Sequence, residues 1–276
     1  MNLSGLVRNI KHKFKGRPRI QIVAPTDSWI LQKMGQELLQ RIPFIHYSPW
    51  KADQREKWDI VYFINYALFQ PVPKARYIGG YFTHKENDQF ERIARQMHFT
   101  VNMSKKYAQL LDSISKNNFV IPPGVDLERF VPKMKLAVAG RFYPSGRKGE
   151  DLVEKIKSLP YIEILTSEGK LSPDQMPGFY NNADYIFIPA KLEGGPMSLL
   201  EGLACGKEII APDVGMVPEF HEGIHRYDRD RPESLIGLID DLYQKRLVIR
   251  RNVENYSWDN FARCHQELFS KLLQTL

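Results

Sequence analysis

The chain has 276 residues, 43% hydrophobic and 26% charged, enough for one large domain or two of roughly 130 residues, and an ordinary globular mixture that excludes extended disorder. No apolar run reaches the ~18 residues a membrane span requires, and two cysteines, Cys205 and Cys264, are too few for a disulfide framework. The net charge of +7 is concentrated at one end, where Arg8, Lys11, Lys13, Lys15, Arg17 and Arg19 precede any acid and leave 33 basic against 32 acidic residues elsewhere.

In that basic tail Leu3, Leu6, Val7, Ile10 and Phe14 recur at helical spacing, predicting an amphipathic helix. Such a helix either lies on an anionic bilayer or packs on the protein's own surface with its basic face in solvent. Aromatic interleaving is sparse there, which argues against nucleic acid as a partner. No secretory signal precedes the first predicted strand, so the expected location is the cytoplasm, at the inner face of the membrane if residues 1–19 make peripheral contact.

After the tail, 20–24 reads as a buried strand, and Thr26 or Asp27 is the expected cap of a helix running to about Leu39. Strands follow at 44–47, 60–64, 77–81, 99–103 and 119–121, with helices near 87–97 and 105–114. Pro122-Pro123-Gly124 breaks this set. A second set begins with a strand at 136–139 and a helix at 149–159. Strands at 162–165, 185–188 and 208–210 follow, with helices near 175–181 and 198–204. From Glu233 the pattern is helical, and a last amphipathic helix occupies 258–273. Strand–helix alternation of this kind predicts parallel sheets covered on both faces. No internal repeat is visible.

Open sheets of this type take ligands beyond the carboxyl ends of their strands, which directs attention to the loops there. The loop from Ala139 to Gly149 contains Gly140, Arg141 and Lys148. Arg141 can grip a phosphate with its planar fork and Lys148 offers a compact charge; surface Arg and Lys beside a glycine turn are also often merely solvated. The run from Glu193 to Gly206 brings Pro196 to the start of a helix, so amides at Met197, Ser198 and Leu199 are expected unpaired and ready for an anion. Glu193 and Glu201 flank that helix start. They suit hydroxyl groups of a sugar next to phosphate, or are simply a helix-start acid and an exposed one.

Taken in order, these stretches resemble the retaining family 4 glycosyltransferases, whose hallmark is two glutamates separated by seven residues, here Glu193 and Glu201. Val120-Ile121-Pro122-Pro123-Gly124-Val125-Asp126 with Phe130 resembles their hinge, and Gly140-Arg141 with Lys148-Gly149 their diphosphate loop. Tyr180-Asn181-Asn182-Ala183-Asp184 precedes a strand as it does in that family, and Tyr256-Ser257-Trp258 resembles the start of their final helix. The resemblance covers 119 to about 270.

It implies the GT-B fold: an α/β protein of two Rossmann-like domains facing each other across a cleft, with the C-terminal helix crossing back to the first. The expected boundaries are 1–18 for the basic segment, 19–131 completed by 257–276 for the acceptor domain, and 132–256 for the nucleotide-sugar domain. It further implies that Arg141 and Lys148 neutralise the departing diphosphate, that Glu193 holds hydroxyls of the transferred sugar and Glu201 those of the ribose, and that Gly140, Gly195, Met197, Ser198 and Leu199 complete the donor site. His84, in Tyr81-Phe82-Thr83-His84-Lys85-Glu86, matches a functional histidine of the first domain, and is otherwise a capping or exposed residue.

The implied donor is a UDP- or GDP-sugar, the acceptor an unidentified glycan, lipid-linked or small molecule, and no cofactor or metal is required. Asp228-Arg229-Asp230 resembles a metal-binding aspartate pair, yet its position suits a solvated loop. Two departures stand out: Pro25-Thr26-Asp27-Ser28-Trp29 replaces a glycine-rich loop after the first strand, and 159–180 is compressed, leaving Thr166 to Leu171 as the candidate nucleobase contacts. Those departures keep open a rival reading, a catalytically silent nucleotide-sugar-binding or scaffold protein. An epimerase or a phosphorylase fits the glutamate spacing and the length less well.

Overall fold

The computed structural model describes residues 18–274; the amphipathic helix expected in the basic tail lies outside them. The chain forms two compact units, one whose described residues run to Phe130 and resume from Val253, the other Val131–Asn252.

The first unit contains β1 (Ile20–Ala24), α1 (Trp29–Arg41), β2 (Ile45–Pro49), β3 (Trp58–Phe63), β4 (Ala75–Phe82), α2 (Gln89–Ala94), β5 (Phe99–Asn102), α3 (Lys105–Leu111) and β6 (Asn118–Val120). Among the described residues these strands make one six-stranded sheet in the order β2-β1-β3-β4-β5-β6, parallel throughout. Every residue of β1 is buried, as a strand covered on both faces must be. Its one polar member, Gln21, is satisfied: its amide donates to Ser48 Oγ at 2.8 Å and its carbonyl accepts from the Asp53 amide at 3.2 Å.

The second unit contains β7 (Met134–Val138), α4 (Glu150–Lys157), β8 (Ile162–Thr166), α5 (Met176–Asn181), β9 (Tyr185–Phe187), α6 (Met197–Ala204), β10 (Glu208–Ala211), β11 (Ile224–Arg226) and α7 (Pro232–Arg251). Its described strands form a parallel sheet in the order β11-β10-β9-β7-β8. One face packs with α4 and α7 through Leu152, Ile156, Leu235 and Ile239, the other with α5 and α6 through Tyr180 and Leu199. Both units are thus doubly wound, in the order 2-1-3-4-5-6 in the first and 2-1-3-4-5 in the second, with the order of strand addition reversing between β1 and β3 and between β7 and β9. The compression expected at 159–180 is visible here. Between Thr166 and Tyr185 there is only a 3₁₀ turn and the six-residue α5, too little chain for a third strand outside β8.

The last helix, α8 (Trp258–Gln274), returns to the first unit and packs beside α1 on one face of its sheet. Phe261, Leu268, Phe269, Leu272 and Leu273 are buried there, each contributing roughly 1.5–3 kcal/mol of burial. The hinge-like segment is held against its start. The Val125 amide donates to Tyr256 O at 2.6 Å, and a Cβ on Gly124 would fall 2.6 Å from the Trp258 nitrogen.

Some expected elements shift. Ser28, rather than Thr26 or Asp27, precedes α1, accepting the Gln32 amide through its carbonyl at 2.8 Å. β2 starts one residue later than expected because Phe44 takes a left-handed φ of 72°. α2 is confined to Gln89–Ala94, its last turn giving way to 3₁₀-type bonds from Gln96 and Met97. The three-residue β11 adds a strand to those expected, since His225 and Arg226 mask any apolar run.

Candidate functional site

The carboxyl ends of β7 and β9, where the strand order reverses, are where an open sheet of this kind accepts a ligand. A pocket of about 380 Å³ opens there, floored by Val138, Phe187 and Ile188 and within the size range of small-molecule sites.

The chain leaves β7 through Ala139 and Gly140, whose amide donates to the buried Ser167 Oγ at 2.9 Å. Arg141 follows, with its side chain lying over Gly169, where an added Cβ would come within 2.5 Å of Arg141 Cγ. Among the described residues no carboxylate or other acceptor is paired with the Arg141 guanidinium. The loop then turns through bonds from the Gly146 amide to Tyr143 O at 3.0 Å and from the Gly149 amide to Gly146 O at 3.1 Å. Gly149 closes it with φ 82°, pressed so near Pro189 that a Cβ would lie 2.0 Å from that carbonyl oxygen. Only glycine meets both conditions. This turn brings Lys148 into the pocket wall, where its ammonium is paired with Glu193 Oε1. Both side chains are largely shielded, 24% and 15% exposed.

Pro196 precedes α6 with φ −67°, leaving the first-turn amides of Met197 and Ser198 without intrahelical acceptors. Leu199 is different. Its amide donates to Pro196 O at 2.9 Å and its side chain is buried in the core, so the expectation of a free amide at Leu199 is corrected: a 3₁₀-type bond tightens the first turn. The Glu193–Gly195 stretch is backed by the turn after β10. Gly215, with φ 54°, packs so tightly that a Cβ would meet Gly194 O at 2.2 Å. The Arg226 guanidinium anchors that turn, donating to Asp213 Oδ1 at 2.9 Å and to the carbonyls of Val217 and Phe220.

One turn into α6, Glu201 lines the same pocket and accepts a hydrogen bond from Tyr180 Oη at 2.6 Å. Burial, reinforced by that carboxylate, holds the Tyr180 phenol well above its ordinary value, so it is a donor at any physiological pH.

The pocket therefore gathers Gly140, Arg141, Lys148 and Glu193 with Gly195, Met197, Ser198 and Glu201. Of the segment proposed for nucleobase contact, Ser167, Gly169 and Leu171 line it and Thr166 does not. His84 belongs to the other unit, exposed after β4, with its ring nitrogens 2.9 Å from Thr83 Oγ1 and from Glu86 Oε1. Asp228 accepts from Arg231 Nε at 2.6 Å, and Arg229 donates to Asp151 at 2.7 Å; these residues organise the loop before α7. Among the described residues no group of three or more His, Cys, Asp or Glu side chains gathers as metal ligands would. The residue that sequence reasoning passed over is Tyr180, quoted only as part of a motif. Its signal was a phenol on the otherwise apolar inner face of a short helix.

Residues 124–257, a little under half of the chain, match the family model described as Glycosyl transferases group 1. The chain is 32% identical over 150 residues to the lipopolysaccharide 1,2-N-acetylglucosaminetransferase of Salmonella typhimurium, which covers 49% of this chain and 39% of that protein. It is 28% identical over 145 residues to the D-inositol 3-phosphate glycosyltransferase of Rhodococcus erythropolis, covering 48% of this chain and 32% of that protein. The chain thus spans well under half the length of these curated relatives. Among solved structures, the apo form of the lipopolysaccharide outer core galactosyltransferase WaaB aligns over 92% of this chain and 100% of its own, at 12% identity and a TM-score of 0.39. Two parallel-sheet α/β units, with a group 1 glycosyl transferase match over most of the second, are consistent with the GT-B fold.

Proposed function

We propose that this chain is a glycosyltransferase that moves a sugar from a UDP- or GDP-linked donor to a glycan, lipid-linked or small-molecule acceptor with retained anomeric configuration, as the resemblance to the family 4 enzymes implies. The observation that carries the reading is the convergence of Arg141, Lys148, Glu193 and Glu201 on one pocket at the strand reversal of the second unit.

In this reading Arg141, unpaired among the described residues, takes the diphosphate first. Lys148 exchanges its Glu193 partner for a phosphate oxygen, which frees Glu193 to accept hydrogen bonds from hydroxyls of the transferred sugar. The amides of Met197 and Ser198 add the positive end of α6. Glu201 accepts from the ribose. As the bond from the anomeric carbon to the diphosphate oxygen breaks, negative charge grows on the leaving group, and fixed cations in a water-poor pocket favour that state over the ground state. The acceptor hydroxyl attacks on the same side and its proton passes to a diphosphate oxygen, so neither a protein base nor a metal ion is needed. His84 is proposed as a further functional residue on its match to the family's histidine alone.

The test is nucleotide release from a panel of UDP- and GDP-sugars. Arg141→Ala and Glu193→Ala are each expected to lower turnover about a hundredfold, the scale of losing one stabilising group at a developing charge; full activity in both would refute the assigned roles. Binding of donor by the wild-type protein, with no nucleotide release under any acceptor condition, would support the silent binding protein instead.

The six basic residues before position 20 support a membrane-linked acceptor reached at the cytoplasmic face. Among the described residues no helix is long and apolar enough to cross a membrane. Deleting residues 1–16 should abolish binding to vesicles rich in anionic lipid, and wild-type binding should weaken with salt. Unchanged binding would refute the membrane assignment.

A further inference from the structure

Tyr180 is the penultimate residue of α5 and is 1% exposed, set in the apolar cluster between the sheet and α6 with Ala183, Ile186 and Leu199. Its hydroxyl finds a partner there, Glu201 Oε2 at 2.6 Å. Among the described residues no other hydrogen bond reaches that carboxylate. One oxygen of Glu201 is therefore tied to the core of the unit, while the remaining acceptor capacity of the carboxylate is left on the pocket wall.

We propose that Tyr180 is the positioning residue through which this pocket distinguishes a ribonucleoside diphosphate from its deoxy counterparts, by fixing the plane of the Glu201 carboxylate for a vicinal diol. The inference rests on the reading of Glu201 as the ribose contact. A vicinal diol offers two neighbouring O–H donors, and one carboxylate receives both only in a narrow range of orientations. A glutamate on a helix surface is otherwise free about three torsions and must lose that freedom when a ligand arrives. The bond to Tyr180 removes it on folding, so binding meets a preorganised acceptor. Because burial keeps the phenol protonated, its O–H remains a donor to Glu201 whether or not a ligand is bound.

The test is calorimetry of UDP and GDP and their 2′-deoxy and 2′,3′-dideoxy forms against the wild type, Tyr180→Phe, Glu201→Ala and the double variant. Phenylalanine keeps the buried ring, and thermal melting checks that the unit remains folded. Tyr180→Phe should weaken the ribonucleotide about tenfold, the scale of a hydrogen bond to a charged group, and the dideoxy form less than about twofold. In the Glu201→Ala background the same change should have no further effect on either. Equal losses for ribo and dideoxy forms would reduce Tyr180 to a packing residue and overturn the proposal, as would an unchanged ribose preference in Tyr180→Phe. Wild-type protein that binds ribo and dideoxy forms equally would also overturn it while leaving the donor site standing, whereas wild-type protein that binds none of them would overturn the donor site as well.

Discussion

Gly149 decides at a single position whether the basic loop can form. Its φ of 82° and the 2.0 Å separation that a Cβ would have from Pro189 O leave no alternative residue. Gly149→Ala should destabilise the second unit by about 2 kcal/mol or more, combining left-handed strain with a clash against backbone, and should lower its thermal transition; an unchanged melting temperature would show that the loop repacks. Lys148 and Glu193 were singled out in the sequence by the resemblance to the family 4 enzymes, but their direct pairing was not legible, because it depends on two loops 45 residues apart meeting at one strand reversal. Tyr180 was illegible for a related reason. A buried phenol and a buried phenylalanine look alike in a periodicity pattern, and only the 2.6 Å bond to Glu201 separates their roles.

At the scale of elements, α8 is fastened to the first sheet partly through a histidine that stays neutral in the folded state down to about pH 4. His265 is fully buried, with Nδ1–H donating to Phe261 O at 2.8 Å, which leaves Nε2 to accept from Tyr62 Oη at 3.0 Å. Burial pushes its pKa down from 6.5 to about 4. Above pH 6.5 the ring is neutral in both states. Between 6.5 and about 4 the unfolded chain takes a proton that the folded chain refuses, so stability falls with pH across that window by on the order of 3 kcal/mol. The melting temperature of the first unit should drop between pH 7.5 and 5 more steeply in the wild type than in His265→Gln; parallel slopes would contradict this. The long amphipathic α8 and the buried strands were readable in advance because their apolar periods are strong. The three-residue β11, the displaced start of β2 and the shortened α2 were not, since a left-handed φ at Phe44 or a partner strand supplied by β10 leaves little mark on a local pattern.

At the scale of the molecule, strand–helix alternation identified two α/β units, and the return of α8 to the first was implied by the resemblance of Tyr256-Ser257-Trp258 to the start of the family 4 enzymes' final helix. Their sheet orders, 2-1-3-4-5-6 in the first and 2-1-3-4-5 in the second, required the structure, because a sequence marks candidate strands but not on which side of β7 the chain lays β9. That choice creates the pocket on which the central proposal rests: that the second unit receives a nucleoside diphosphate, its phosphates on the cations of one loop and its sugar hydroxyls on the acids of another. Calorimetric titration of the full chain with UDP and GDP, repeated with the Arg141→Ala/Lys148→Ala double variant, tests it most directly. The account predicts that the wild type binds at least one of the two, that affinity weakens as salt rises, and that the double variant loses at least about tenfold. A wild type that binds neither, or a double variant that binds as tightly as the wild type, would contradict it.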